Sequence, residues 1–238
     1  MNVAVIFAGG VGSRMNTRSA PKQFLEVHGK PIIIRTLEHF EEHPEIDGIV
    51  VAILPEYREH LLRLIHRYDL QKVREIVDGG KTGQESRHRA LQAVAASYPP
   101  DTVVLIHDGV RPLISAELIT TNIRAVEEYG SAITCTKANE TIVISTDERV
   151  DAVIPRENLY TAQAPQSFRL GHVLGMYDRA VAEGENDSID SCTLMVRYGH
   201  SVHVIDGPRS NIKITTAEDF YISRTFFELV ENQQIIGA

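Results

Sequence analysis

Val3-Ala4-Val5-Ile6-Phe7-Ala8-Gly9-Gly10-Val11-Gly12-Ser13-Arg14-Met15, with Pro21-Lys22-Gln23 close behind, decides the fold. The stretch opens as an apolar run too short for a typical helix. Val3, Val5, Ile6 and Phe7 favour a strand buried on both faces. The run then breaks into three glycines within four positions, and Arg14 and Lys22 follow. Glycine lets a backbone turn sharply and lets a ligand approach its N–H groups. A buried strand, a bare loop and then positive charge supply what a polyphosphate requires, amide donors and neutralising cations. Taken alone, the same residues also suit a tight strand-to-helix turn that holds no ligand.

Outward from this stretch, short apolar runs alternate with amphipathic ones. Pro31 opens an expected helix over 31–41, with Ile33, Ile34, Leu37 and Phe40 at helical spacing. Residues 48–54 read as a second buried strand. Pro55 ends it and starts a helix through 68, with Leu61, Leu62, Leu64 and Ile65 as its apolar face. Residues 73–77 form a strand ending at Asp78-Gly79-Gly80, a helix covers 84–97, and a strand at 102–106 ends at His107-Asp108-Gly109. Pro112 and Ser115 lead into a helix through 129, and 131–136 is a fifth strand. Residues 141–145 and 150–155 read as a hairpin around the turn at 146–149. Helices are expected over 170–182 and 187–198, a strand over 202–205 and extended chain over 211–215. Thr216 caps a last helix through about 230. Such alternation implies an α/β protein, a Rossmann-like, mostly parallel sheet flanked by helices, with ligands outside the carboxyl ends of its strands. Residues 139–165 break the pattern with the hairpin, Pro155 and Pro165, and read as an arm inserted in a single domain over 1–238.

The 238 residues carry a net charge of -8, which argues against nucleic-acid or anionic-membrane binding, since both call for a basic surface. Cys135 and Cys192 stand far apart, which suits a reduced, cytoplasmic protein without a disulfide framework. No targeting leader and no membrane span is expected. The ten histidines show no metal-ligand spacing.

The opening glycines match neither a P-loop nor the dinucleotide-binding spacing. Their pattern, Ala-Gly-Gly-x-Gly-x-Arg-Met and then Pro-Lys-Gln-Phe, resembles the cytidylyltransferases that make CDP-linked polyols. These include the methylerythritol 4-phosphate enzymes of isoprenoid synthesis and the ribitol 5-phosphate enzymes of teichoic-acid and capsule synthesis. The resemblance continues at 78–86, 107–112, 163–168 and 211–215. It implies a fold of the nucleotide-diphospho-sugar transferase type. It also implies that Phe7, Ala8, Gly9, Gly10, Val11 and Gly12 hold CTP, while Arg14 and Lys22 stabilise charge on the α-phosphate. Gly79, Gly80, Lys81 and Ser86 match a second nucleotide loop, although Gly83 stands where the family often has Arg. Asp108 is the implied Mg²⁺ ligand, because Mg²⁺ favours hard carboxylate oxygens. Gly109, Arg111, Arg156, Asp190 and Lys213 are the implied substrate contacts, and Lys213 meets the nucleotide as well. Arg156 lies on an arm that in the family reaches across a homodimer, so a homodimer through 139–165 is expected.

For the acceptor, the isoprenoid branch has a Thr-Asp pair where this chain reads Ile189-Asp190. The ribitol branch typically has Asp-Ala-Cys, closer to Asp190-Ser191-Cys192, and it shares the Ala-Gly-Gly of the first loop. Ala164 departs from both branches. The expected reaction is therefore CMP transfer from CTP to ribitol 5-phosphate, with methylerythritol 4-phosphate as the alternative acceptor. A sugar-1-phosphate nucleotidyltransferase using another base and a nucleotide-binding regulator without catalysis rank below them.

Overall fold

The computed structural model describes residues 1–9 and 21–236, and side chains through 229. Its elements in chain order are β1 (Asn2–Phe7), β2 (Glu26–Val27), β3 (Lys30–Pro31), α1 (Ile32–Glu42), β4 (Gly48–Ile53), α2 (Arg58–Arg67), β5 (Val73–Asp78), α3 (Gly83–Ser97) and β6 (Val103–Asp108). After these come α4 (Ala116–Tyr129), β7 (Ser131–Lys137), β8 (Ile142–Thr146), β9 (Arg149–Ile154), β10 (Tyr160–Arg169), α5 (Leu170–Ala182), α6 (Ser191–Arg197), β11 (His203–Asp206) and α7 (Ala217–Ile236).

Among the described residues, seven strands form the central sheet in the order β11-β7-β10-β6-β1-β4-β5. β1 lies between β4 and β6 and is parallel to both, with Phe7 level with Ala52 and Asp108. Val3, Ala4, Val5 and Ile6 are fully buried because helices cover both faces. Ala4 and Ile6 pack with Ile33, Leu37, Leu61 and Ile119 of α1, α2 and α4. Val3 and Val5 pack with Leu91, Val94, Val173 and Leu194 of α3, α5 and α6. A strand inside such a double layer has no solvent face, so its sequence runs apolar instead of alternating. The expected mostly parallel α/β sheet is present.

Four details differ from expectation. Leu62 is 42% exposed, because only Leu61 and Leu64 of α2 point fully inward. α6 begins at Ser191 and not at 187, because the Asp190 carboxylate accepts the Thr193 N–H at 2.7 Å and caps the helix there. The small β2–β3 hairpin was not foreseen.

The largest difference is β10. Its ten residues fall partly in the expected arm, yet they pair antiparallel with β6 and β7 in the central sheet. Pro165 argues against a strand, since proline cannot donate to a ladder. The ladder shifts register between Ala162 and Gln166, and Pro165 sits in that irregularity after a cis bond from Ala164. The hairpin itself, β8 and β9, forms as expected and stands as a separate two-stranded sheet. Asp147 and Glu148 at its turn both have positive φ, as a tight two-residue hairpin loop requires.

Candidate active site

β6, β1, β4 and β5 lie in that order, and the loops after β6, β1 and β5 converge at the carboxyl edge of the sheet. A Cβ on Gly109 would lie 3.2 Å from the Ala8 Cβ, and one on Gly9 would lie 3.5 Å from the Ser86 hydroxyl. The Gln23 side chain is buried and donates to the Ala8 carbonyl at 3.0 Å, which ties the Pro-Lys-Gln segment to the end of β1 and brings Lys22 there. The Ser86 hydroxyl accepts the Gly80 N–H and donates to the Thr82 carbonyl, both at 2.9 Å, so it folds the second glycine loop onto the start of α3. Lys81 is exposed, and its N–H binds Glu85 at 2.7 Å.

Asp108 is the electrostatic centre. It is 4% exposed, and each carboxylate oxygen meets a cation. Oδ2 accepts from Arg111 Nε at 2.7 Å, and Oδ1 pairs with Lys213 Nζ at 2.6 Å. Burial pushes its pKa up, but Lys213 and Arg111 prevail and hold it at about 2, so the group is ionised at neutral pH. The neighbouring His107 is fully buried against Phe40 and the Arg111 carbonyl, and burial lowers its pKa to about 3. It is a neutral structural histidine.

Lys213 reaches the site because its loop is docked at several points. Asn211 is fully buried, with its side chain donating to the Ala164 carbonyl at 2.7 Å and its own carbonyl accepting from Arg111 at 2.8 Å. The Ile214 N–H donates to the Val110 carbonyl. Arg111 therefore buttresses both Asp108 and the Lys213 loop.

Phe7, Asp108, Arg111, Asp190 and Lys213 line one cavity of about 170 Å³. Lys213 lies 5.7 Å from the Phe7 ring centroid. Arg156 does not line this cavity. It is exposed at the base of the arm and donates to the Asn139 carbonyl at 2.9 Å. Gly10, Val11, Gly12 and Arg14 lie outside the described residues. The cavity also contains residues that the sequence did not single out for it, Arg87, Gln163 and Gln166. Gln166 binds the Asp190 carboxylate at 2.9 Å and the Cys192 N–H at 2.9 Å. Had β10 been read as a strand, its polar residues at 163 and 166 would have been the signal. A larger cavity of about 510 Å³ lies elsewhere, walled by Leu113, Leu118, Pro208, Phe226 and Phe227. Among the described residues it presents no lysine or arginine to a phosphate.

Glycine loops that converge at the carboxyl edge of the sheet, with cations gathered around a buried carboxylate, mark a nucleotide-handling enzyme of the nucleotidyltransferase class. The family model described as IspD: 2-C-methyl-D-erythritol 4-phosphate cytidylyltransferase matches residues 2–228, and the chain belongs to that family. A protein of Streptococcus agalactiae serotype III named ribitol-5-phosphate cytidylyltransferase is 47% identical over 238 residues, covering the whole of both chains. A protein of the same name from Vibrio parahaemolyticus is 44% identical, also over the whole of both. The crystal structure of 4-diphosphocytidyl-2C-methyl-D-erythritol synthase from Anaerococcus prevotii superimposes with a TM-score of 0.81 at 31% identity, covering 95% of each chain. Among the described residues no helix is long and apolar enough to cross a membrane.

Proposed function

We propose that the enzyme transfers CMP from CTP to D-ribitol 5-phosphate, releasing pyrophosphate and CDP-ribitol, an activated precursor for teichoic acid or capsule. The observation that carries this acceptor is the end-to-end likeness to proteins named ribitol-5-phosphate cytidylyltransferase at 44% and 47% identity. The family description favours methylerythritol 4-phosphate instead, so that acceptor is the second reading.

In the proposed reaction an oxygen of the acceptor's phosphate attacks the α-phosphorus of CTP. A new P–O bond forms, the bond to the β-phosphate's bridging oxygen breaks, and pyrophosphate leaves with that electron pair. The attacking phosphate is already ionised at neutral pH, so no general base is needed. Positioning and charge stabilisation then dominate. Arg14, Lys22 and Lys213 are the proposed charge stabilisers. The Lys213 side chain is 40% exposed, free enough to swing from Asp108 to a phosphate.

The donor set suits Mg²⁺. Asp108 offers a hard, ionised carboxylate, and its Oδ1 would be freed for the ion if Lys213 swung to a phosphate. Asp108 would hold the ion, which would neutralise triphosphate charge. We further propose a homodimer through the hairpin. Its strands expose Ile142, Val143, Ile144, Val150 and Val153, and an isolated two-stranded hairpin is marginal without a surface to pack on. Arg156 would then serve the partner's cavity. Pyrophosphate release measured with CTP, UTP and dTTP, each with both acceptors, tests the reaction. Release with CTP and ribitol 5-phosphate is expected, and release only with another base or another acceptor overturns the assignment.

A further inference from the structure

We propose that Arg87 and Gln84 are positioning residues that hold residues 185–190 against the cavity and so set the affinity for the acceptor. The inference rests on the cavity taking a polyol phosphate. Asp190 and Ile189 line the cavity, but the segment leading to them has little packing of its own. Residues 185–187 are exposed, and so is Ile189. The segment is held from α3, the helix that also carries the second glycine loop. Gln84 is 2% exposed, donates to the Glu185 carbonyl at 2.6 Å and accepts the Ser188 N–H at 2.6 Å. The Thr82 hydroxyl donates to the Asn186 carbonyl at 3.0 Å.

Arg87, one helical turn after Gly83, completes the grip. Its Nη2 donates to the carbonyls of Ser188 at 2.8 Å and Ile189 at 3.2 Å. Its Nε donates to the Tyr177 hydroxyl at 2.9 Å, which in turn bonds the Ser191 hydroxyl at 2.8 Å, next to Asp190. Gly83 leaves room for this guanidinium, because a Cβ there would come within 3.3 Å of Nη1.

Arg87 is 4% exposed, and these partners are all neutral. A guanidinium buried among neutral acceptors is costly to desolvate and would not be kept merely to fill space. What the charge provides is a planar fork that fixes two carbonyls and one hydroxyl at once. The guanidinium also lies 5.5 Å from the centroid of the Phe7 ring, on whose face Lys213 sits too. The expected nucleotide loop and the expected acceptor segment thus share one helical turn as their mount.

The test uses the full chain with Arg87→Met, Arg87→Lys and Gln84→Glu, assayed with CTP and whichever acceptor the parent turns over. In Arg87→Met the acceptor KM is expected to rise about ten-fold or more while the CTP KM stays within about two-fold, as for loss of charge-assisted hydrogen bonds on one side of the site. Arg87→Lys is expected to recover part of the loss. Amide exchange of residues 185–190 is expected to quicken about ten-fold in Arg87→Met and Gln84→Glu, with the rest of α3 and α5 unchanged. Equal changes in both KM values overturn the proposal, and so does unchanged exchange at 185–190. A parent inactive with both acceptors refutes the proposed reaction, while the exchange data still judge the clamp. If Arg87→Met does not fold, the other two variants decide.

Discussion

Asp108→Asn removes one charge and almost no volume, so its cost can be worked from the ion pairs at the end of β6. Burial alone would raise the carboxyl pKa, yet Lys213 and Arg111 bring it from 3.8 to about 2, a difference worth on the order of 2 kcal/mol. Because the folded pKa is the depressed one, this stability is nearly complete above about pH 5 and is lost as pH falls from there through about 2. About half remains at pH 3 on the same linkage. The Asn variant lacks this titration and leaves Arg111, whose side chain is 9% exposed, without its anion. Urea unfolding followed by circular dichroism at pH 7, 5, 4 and 3 gives the gap between parent and variant. That gap is expected to be about 2 to 4 kcal/mol at pH 7 and to shrink by about 1 kcal/mol at pH 3, where the Asp108 linkage is about half lost. A gap that does not change with pH, or one below about 0.5 kcal/mol at pH 7, would refute the electrostatic account of this site.

Three further perturbations probe other parts of the molecule. Lys22→Ala is expected to lower kcat by about 100-fold or more with a much smaller change in the CTP KM, as for loss of a charge-stabilising donor; equal steady-state rates would end its assignment. His107 is held neutral by burial down to about pH 3 in the folded state. It protonates below 6.5 when unfolded, so stability falls as pH drops between those values. His107→Gln is expected to remove up to about 1.4 kcal/mol per pH unit from that slope, and an unchanged slope in denaturant titrations counts against it. Val150→Asp with Val153→Asp is expected to weaken a homodimer about ten-fold or more in sedimentation with little change in melting temperature, whereas a monomeric parent at micromolar concentration would exclude the arm as an interface.

The central strands were legible because each is buried on both faces, and Val3 to Ile6 or Ile49 to Ile53 declare that through uninterrupted apolar residues. β10 was not, because its Gln163, Gln166 and Ser167 are buried for hydrogen bonding and Pro165 falls at a ladder irregularity. A strand that lends polar side chains to a site loses the pattern by which strands are recognised. The site divides in the same way. Asp108 stands directly at a strand end, where topology alone says to look. Lys213 and Asp190 could be named only through the resemblance, since Lys213 meets Asp108 and Phe7 from far along the chain and Asp190 meets Gln166 of the unforeseen β10. Arg87 reads as one more charge on a helix, and its role depends on carbonyls 101 and 102 residues away.

The antiparallel pairing of β10 with β7 has a consequence for how the arm can change. Lys137 and Tyr160 face each other in register, and the Ala138 N–H bonds the Leu159 carbonyl, so the two ends of the hairpin excursion meet at one closed rung. Everything between them hangs from the sheet as a pendant whose length the ladder does not sense, because closing a longer loop costs only slowly more entropy. Insertions and deletions in the β8–β9 hairpin, up to but not including Arg156, can accumulate while the central sheet keeps its geometry. The surface proposed as the homodimer interface is thereby free to diverge faster than the sheet that carries it.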